Sequence, residues 1–203
     1  MKNKLNIALI TAGNPRHHYF KKKISSVVDA GLIIEEPKKS KPTRKEISFF
    51  KNRFLDDNWS SKNNKQININ DRSLNSVETQ YHRGVEGPLF AIYEEDPTII
   101  GATIHQVTTG IDSGEVIAQE KPKLRLDDDL DLLFYRTCKC GIDLLQKNII
   151  KIILNKAKFK TLDKGKLYQN KDVTEKVISS ARSKVGKVLY YDLDGAANQF
   201  IYY

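Results

Sequence analysis

Cysteine is nearly absent: Cys138 and Cys140 are the only two in this 203-residue chain. Their i, i+2 spacing inside a helical pattern points them to different faces, so they suit neither a metal site nor a disulfide framework, as expected in a reducing cytoplasm. Long apolar runs are missing too. None approaches the roughly 20 residues needed to cross a bilayer, and no membrane partner is expected. The start places Lys2 and Lys4 ahead of an apolar stretch, but that stretch is only Ile7 to Ile10 before Thr11 and Gly13 intervene. It reads as a first strand and not as a signal peptide. Histidine is scarce, with four residues, and the adjacent His17 and His18 lack a metal partner at useful spacing. Surface or loop positions are expected for both, not ligation. No repeat is visible.

What the chain does have is positive charge, with 34 Lys and Arg against 25 Asp and Glu and a formal net charge of +9. Such an excess favours anionic partners such as nucleotides, nucleotide sugars or RNA. General richness in Lys, Asn and Ile explains it equally well. The dense basic clusters, Lys21 to Lys23 and Lys38 to Lys45, have no interleaved aromatics for base stacking, so nucleic-acid binding is not expected.

Along the chain, Leu5 to Ile10 is a mainly apolar run, interrupted only by Asn6 and closed by a Gly-Asn-Pro turn, which predicts a buried parallel strand. Arg16 to Ser26 follows as a helix and Ala30 to Ile34 as a second strand, together a βαβ unit. Thr43 and Glu46 form a capping box for a helix reaching Asn58. From Ser60 to Gln80 the text is polar, with Gln66 to Asn70 its one alternating piece. Pro88 opens a short helix through Tyr93. Two β-rich runs, Ile99 to Val107 and Glu115 to Gln119, flank a glycine-bearing turn and read as adjacent strands. Asp127, Asp128 and Asp129 precede the best helix, Leu130 to Leu154, their carboxylates offsetting the positive end of its dipole. A short strand at Lys166 to Tyr168 and a helix from Thr174 to Arg182 come next, and no pattern assigns the last twenty residues. The length suits one core, expected as a domain over 1–160 followed by a tail over 161–203.

Four landmarks stand in order between Tyr81 and Gln119: Tyr81-His82-Arg83-Gly84, Gly101-Ala102-Thr103-Ile104-His105, Gly110-Ile111-Asp112-Ser113-Gly114 and Val116-Ile117-Ala118-Gln119. In order and spacing this stretch resembles the formyltetrahydrofolate-dependent formyltransferases. Arg16 to Phe20, Glu35-Glu36 and Gly165-Lys166-Leu167-Tyr168 look most like the sugar-modifying branch. The resemblance implies an α/β fold of formyltransferase type, Rossmann-like, with a mostly parallel sheet and flanking helices. It also implies formyltetrahydrofolate as co-substrate and a small anionic acceptor, the primary amine of a nucleotide-linked amino sugar.

In the family the acceptor amine attacks the formyl carbon, and a histidine, an asparagine and an aspartate manage the resulting oxyanion and proton. By position Asp112 matches the catalytic aspartate, and His105 matches a strand histidine that holds the aspartate loop. Thr109, Gly110 and Ile111 would face the pterin of the co-substrate. Tyr81, Arg83 and Gly84 match the substrate-side turn, where Arg83 is placed to meet an anionic group. Each has a plainer reading: Asp112 as a turn former, His105 as a buried strand residue, Arg83 and His82 as solvated turn residues.

The family's asparagine-x-histidine pair, expected shortly before Tyr81, has no counterpart in Asp71 to Gln80. A strand, a helix and another strand need roughly thirty residues, which this interval cannot hold. Central strands are therefore expected to be missing from the sheet, leaving edges that favour self-association into a homo-oligomer. Three functional readings stay open at this point: an active formyltransferase; a catalytically impaired remnant (a pseudoenzyme) with a binding role; and, least favoured, a basic RNA-contacting protein related to the methionyl-tRNA branch, which would show salt-sensitive binding.

Overall fold

The computed structural model describes residues 7–12, 15–36, 77–78, 82–84, 86–106, 108–109, 114–162, 165–193 and 201–202. The helix expected from Thr43 to Asn58 and the strand expected over Gln66 to Asn70 lie outside them. So does the interval read as too short for central strands, apart from residues 77–78. The chain divides into two compact units, 1–72 with 149–156, and 73–148 with 157–203.

The first unit contains the expected βαβ arrangement: β1 (Ala8–Ala12), α1 (Pro15–Val27) and β2 (Leu32–Glu36). The two strands pair in parallel, from Ala8 opposite Leu32 to Ala12 opposite Glu36. Both run on past the apolar runs, the ladder continuing through Thr11 and Glu35 to Ala12 and Glu36. Ile24 of α1 and Val28 just past its end are fully buried, and Leu9 and Ile34 of the strands are buried as well. His17 and His18 are not in a loop. Both lie within α1, where the Thr11 hydroxyl and His17 Nδ1 are 2.7 Å apart and His18 is buried. The βαβ turn brings the helix start back over the strand end, which adjacent histidines cannot reveal in sequence.

The second unit comprises β3 (Val77–Glu78), β4 (His82–Gly84), α2 (Gly87–Tyr93), β5 (Ala102–His105), β6 (Val116–Glu120), α3 (Leu130–Ile153, whose last turn falls in the first unit), β7 (Lys166–Tyr168), α4 (Glu175–Leu193) and β8 (Ile201–Tyr202). The strand order β3-β5-β6-β8 makes an antiparallel sheet, and β4 pairs with β7 in parallel. Among the described residues parallel pairing is thus confined to β1–β2 and β4–β7. Because β5 has a neighbour on each side, all four of its residues are buried, the pattern of an interior strand covered on both faces.

Three consecutive aspartates before α3 do three different things. Asp129 accepts from the Leu132 N–H at 2.7 Å and caps the helix. Asp128 is buried and holds the Arg136 guanidinium at 2.8 Å and the Arg125 N–H at 2.8 Å. Asp127 pairs on the surface with Arg125 at 2.9 Å.

The helix at 175–193, expected as the short helix of a tail, is longer and belongs to the core of this unit. Thr174 caps it by accepting from the Val177 N–H at 3.3 Å. Ala181, Val188 and Leu189 pack with Leu89, Ala91 and Ile92 of α2, and with Ile100 and Leu133. Burial of this stripe outweighs Gly186, whose place in a helix interior is unfavourable by about 1 kcal/mol relative to alanine. A Cβ at Gly186 would meet nothing within 4 Å. Gly186→Ala is therefore expected to stabilise the protein by about 0.5–1 kcal/mol. Leu189→Ala, at a fully buried position, is expected to cost about 2–5 kcal/mol. Denaturant titration of both variants beside the parent checks the pair.

Candidate functional site

Two of the four sequence landmarks fall on the strands of the β5–β6 hairpin, and Gly114, the described residue of a third, precedes β6. Thr103 and Gln119 stand opposite each other, and Gln119 Nε2 donates to Thr103 Oγ1 at 3.1 Å. The register then slips: Ile104 faces Ala118 but His105 faces Val116, so Ile117 is an extra residue on β6. A bulge of this kind bends its strand and re-aims the side chains beside it. His105 is 6% exposed, and its Nδ1 lies 2.8 Å from the carbonyl oxygen of Gln106. A carbonyl can only accept, so Nδ1 is the donor in this contact.

The loop between the strands is closed by the Gln106 N–H, which donates to the Glu115 carbonyl at 3.0 Å. Gly114, the last residue before that closure, approaches Gln106 so closely that a Cβ would lie 1.8 Å from its carbonyl oxygen. Only glycine permits this approach. Thr109 is described and exposed; Gly110, Ile111 and Asp112 lie outside the described residues. The returning stem is held from its other side as well. Val116 and Lys160 exchange two backbone hydrogen bonds of 2.9 Å, and Thr161 Oγ1 donates to Glu115 Oε1 at 3.2 Å.

The fourth landmark lies on β4. Arg83 and Gly84 stand in register with Leu167 and Tyr168 of β7, joining two segments that sequence had singled out about eighty residues apart. Tyr81 lies outside the described residues. Tyr168 is buried and stacks on Phe90 of α2, with ring centroids 3.7 Å apart. Its hydroxyl donates to Glu94, which also accepts from Lys166 Nζ at 2.6 Å. Burial first, and then the Glu94 hydrogen bond, raises the Tyr168 phenol above its ordinary range, so it stays a donor at neutral pH. Hydrogen bonding to Glu94 likewise raises the Lys166 ammonium. Sequence reasoning missed Glu94, Phe90 and Gln106, because their partners are distant in the chain or are backbone atoms. Gly114 was visible as the end of the Asp112-Ser113-Gly114 turn, though not the close approach that requires it.

Neither cysteine is disulfide-bonded. Burial, and next the nearby Glu120 carboxylate, push the Cys140 thiol up to about 12, which keeps it protonated and a poor nucleophile. Among the described residues no cluster of three or more His, Cys, Asp or Glu could hold a metal ion, and no helix is long and apolar enough to cross a membrane.

No protein-family model matches the chain. Solved structures do. The N-formyltransferase from Helicobacter canadensis, in complex with folinic acid and dTDP-3-aminofucose, is similar over 92% of this chain and 82% of its own, with a TM-score of 0.61 and 14% identity. A 4-N formyltransferase from Francisella tularensis is similar over 88% of this chain and 87% of its own, at TM-score 0.59 and 18% identity. The chain has the formyltransferase fold. The formyltransferase PseJ from Anoxybacillus kamchatkensis, in complex with UDP-4,6-dideoxy-4-formamido-L-AltNAc and tetrahydrofolate, shares it over 90% of this chain and 100% of its own, at TM-score 0.56 and 16% identity. Within the formyltransferase fold the described residues of the landmarks lie at two places in the second unit, the β5–β6 hairpin and the β4–β7 pair.

Gly114→Ala is expected to force the two stems of the hairpin apart and to destabilise the protein by about 1–3 kcal/mol, read as a lowered midpoint in thermal or denaturant unfolding. Cys140 is expected to be alkylated by iodoacetamide at pH 8 on the order of a thousandfold more slowly in the native protein than in the unfolded chain. Peptide mapping of the alkylated sites over time measures that ratio.

Proposed function

We propose that this protein transfers a formyl group from formyltetrahydrofolate to the primary amine of a nucleotide-linked amino sugar. One observation carries the reading. The described residues of the four landmarks lie on one hairpin and one strand pair of a fold shared with N-formyltransferases, two of which bind a nucleotide sugar and a folate. In the reaction the amine nitrogen bonds to the formyl carbon, the bond from that carbon to N10 of the folate breaks, and the proton lost by the amine ends on N10. The co-substrate supplies the one-carbon unit; the protein supplies position and charge.

On this reading Asp112 takes up or directs the amine proton. His105 holds the loop that carries Asp112, by fastening Gln106 through its Nδ1 hydrogen bond of 2.8 Å. Thr109, Gly110 and Ile111 face the co-substrate, and the glycine-dependent closure at Gly114 sets the shape they offer. Tyr81, Arg83 and Gly84 meet the acceptor, Arg83 at its anionic end, and the net charge of +9 draws such an acceptor in. The two thiols, free of any disulfide, support the cytoplasm as the place of action.

A second reading, an impaired formyltransferase that keeps the co-substrate loop, is favoured by the distribution of histidine. The four stand at 17, 18, 82 and 105, so none lies in the interval where the family's asparagine-x-histidine pair is expected. Loss of one oxyanion donor costs on the order of a hundred- to a thousandfold in rate. Calorimetric titration with 5-formyltetrahydrofolate, parent beside Asp112→Asn, tests both. Saturable binding by the parent, weakened about tenfold in the variant, is expected. Turnover of amino-sugar nucleotides then separates the active from the impaired reading. A folded parent that does not bind the folate would leave the shared fold as ancestry alone.

A further inference from the structure

The geometry points to Glu94 as a positioning residue that holds β4, and with it Arg83, in place for the anionic end of the acceptor. The proposal deepens the formyl-transfer reading and rests on it. β4 is three residues long, and β7 is its one strand partner in the described sheet. β7 is equally short, with Lys166 exposed, Leu167 partly exposed and only Tyr168 buried. Such a pair has too little ladder to stand alone. Its anchorage runs through Tyr168, which is clamped by its ring and by its hydroxyl. The ring stacks on Phe90, itself 2% exposed, and the hydroxyl donates to Glu94. Gly84 stands in register with Tyr168, so the clamp acts directly beside the end of β4.

Glu94 can do this because the turn that carries it is fastened three ways. Glu94 caps α2, its N–H donating to the Phe90 carbonyl at 2.9 Å. Glu95 adopts a left-handed backbone with φ 60° and pairs with Lys184 of α4 at 2.7 Å. Asp96 accepts from the Thr98 N–H at 3.2 Å. A left-handed conformation is unfavourable for a residue with a Cβ and persists where surrounding contacts hold it. Three successive carboxylates thus bind β7, α4 and the following helical turn. Glu94 therefore extends the rigidity of the α2–α4 core out to β7, and through it to β4.

The test uses Glu94→Ala, Tyr168→Phe and Glu94→Gln in the full chain. The glutamine amide oxygen still accepts from Tyr168 and Lys166, so Glu94→Gln is the rescue variant. Amide hydrogen exchange at His82, Arg83 and Gly84 is expected to accelerate about tenfold in Glu94→Ala and Tyr168→Phe, to stay near the parent in Glu94→Gln, and to be unchanged at Thr103 and Ile104 in all three. In turnover, KM for the amino-sugar nucleotide is expected to rise about tenfold in the first two variants, with kcat and KM for formyltetrahydrofolate within about twofold of the parent. Unchanged exchange at β4 in folded Glu94→Ala would overturn the proposal. So would a uniform rise in exchange across β4, β5 and β6, which marks general loosening.

If the parent shows no turnover, binding of UDP and dTDP by calorimetry replaces the kinetic arm, with the same tenfold weakening expected. A parent that binds neither nucleotide overturns the assignment of β4 to an anionic acceptor. The exchange data would still decide whether Glu94 holds the strand.

Discussion

The β5–β6 hairpin depends on a distance too short for any side chain. Gly114 packs onto the backbone of Gln106, the Gln106 N–H closes the loop on Glu115, and the Gln106 carbonyl accepts from His105 Nδ1. One residue therefore ties the glycine of the turn, the second stem and the imidazole together. The bulge at Ile117 adds the last element, because it shifts the register where His105 must turn from the sheet toward the loop. Backbone contacts therefore fix the base from which the loop leaves the two strands. Val116 and Lys160 reinforce the same base from the adjoining segment.

A different kind of constraint governs the β4–β7 pair. Its ladder is short, so placement comes from outside it, through Tyr168 clamped between an aromatic stack and a carboxylate. That carboxylate belongs to an acidic turn whose three members each hold another element. The chain's positive charge makes this arrangement easy to satisfy, since Lys166 and Lys184 are near to balance the turn. Exposed ion pairs of this sort contribute little to stability individually. Their effect is on geometry: they decide where the turn sits relative to the buried stripe of α4.

Much of the local structure was legible before any coordinates. The helix from Leu130 needs only its apolar stripe and the carboxylates ahead of it, and it ends at Ile153, within a residue of expectation. The strand at Lys166–Tyr168 and the short helix around Pro88 were likewise readable from local pattern. Less legible was anything that depends on a distant partner. Asp127, Asp128 and Asp129 look alike in sequence, yet one is a cap, one is buried against Arg136 and one pairs on the surface. The extension of α4 past Arg182 was hidden by Ser183 and Gly186, which weaken the helical pattern, and was decided by packing against α2.

By itself the sequence determined the kinds of local element that the described residues form and the order of the four landmarks. These follow from spacing, composition and short-range turn chemistry, all of which a linear chain carries. Only the tertiary structure decided that β4 runs beside β7, that Gly114 lies against Gln106 and that Tyr168 is clamped by Phe90 and Glu94. Each of those is a contact between groups whose separation along the chain gives no indication of their distance in space. They form because burying Tyr168 and the α2–α4 stripe, with their polar atoms satisfied, is more favourable than leaving either in water.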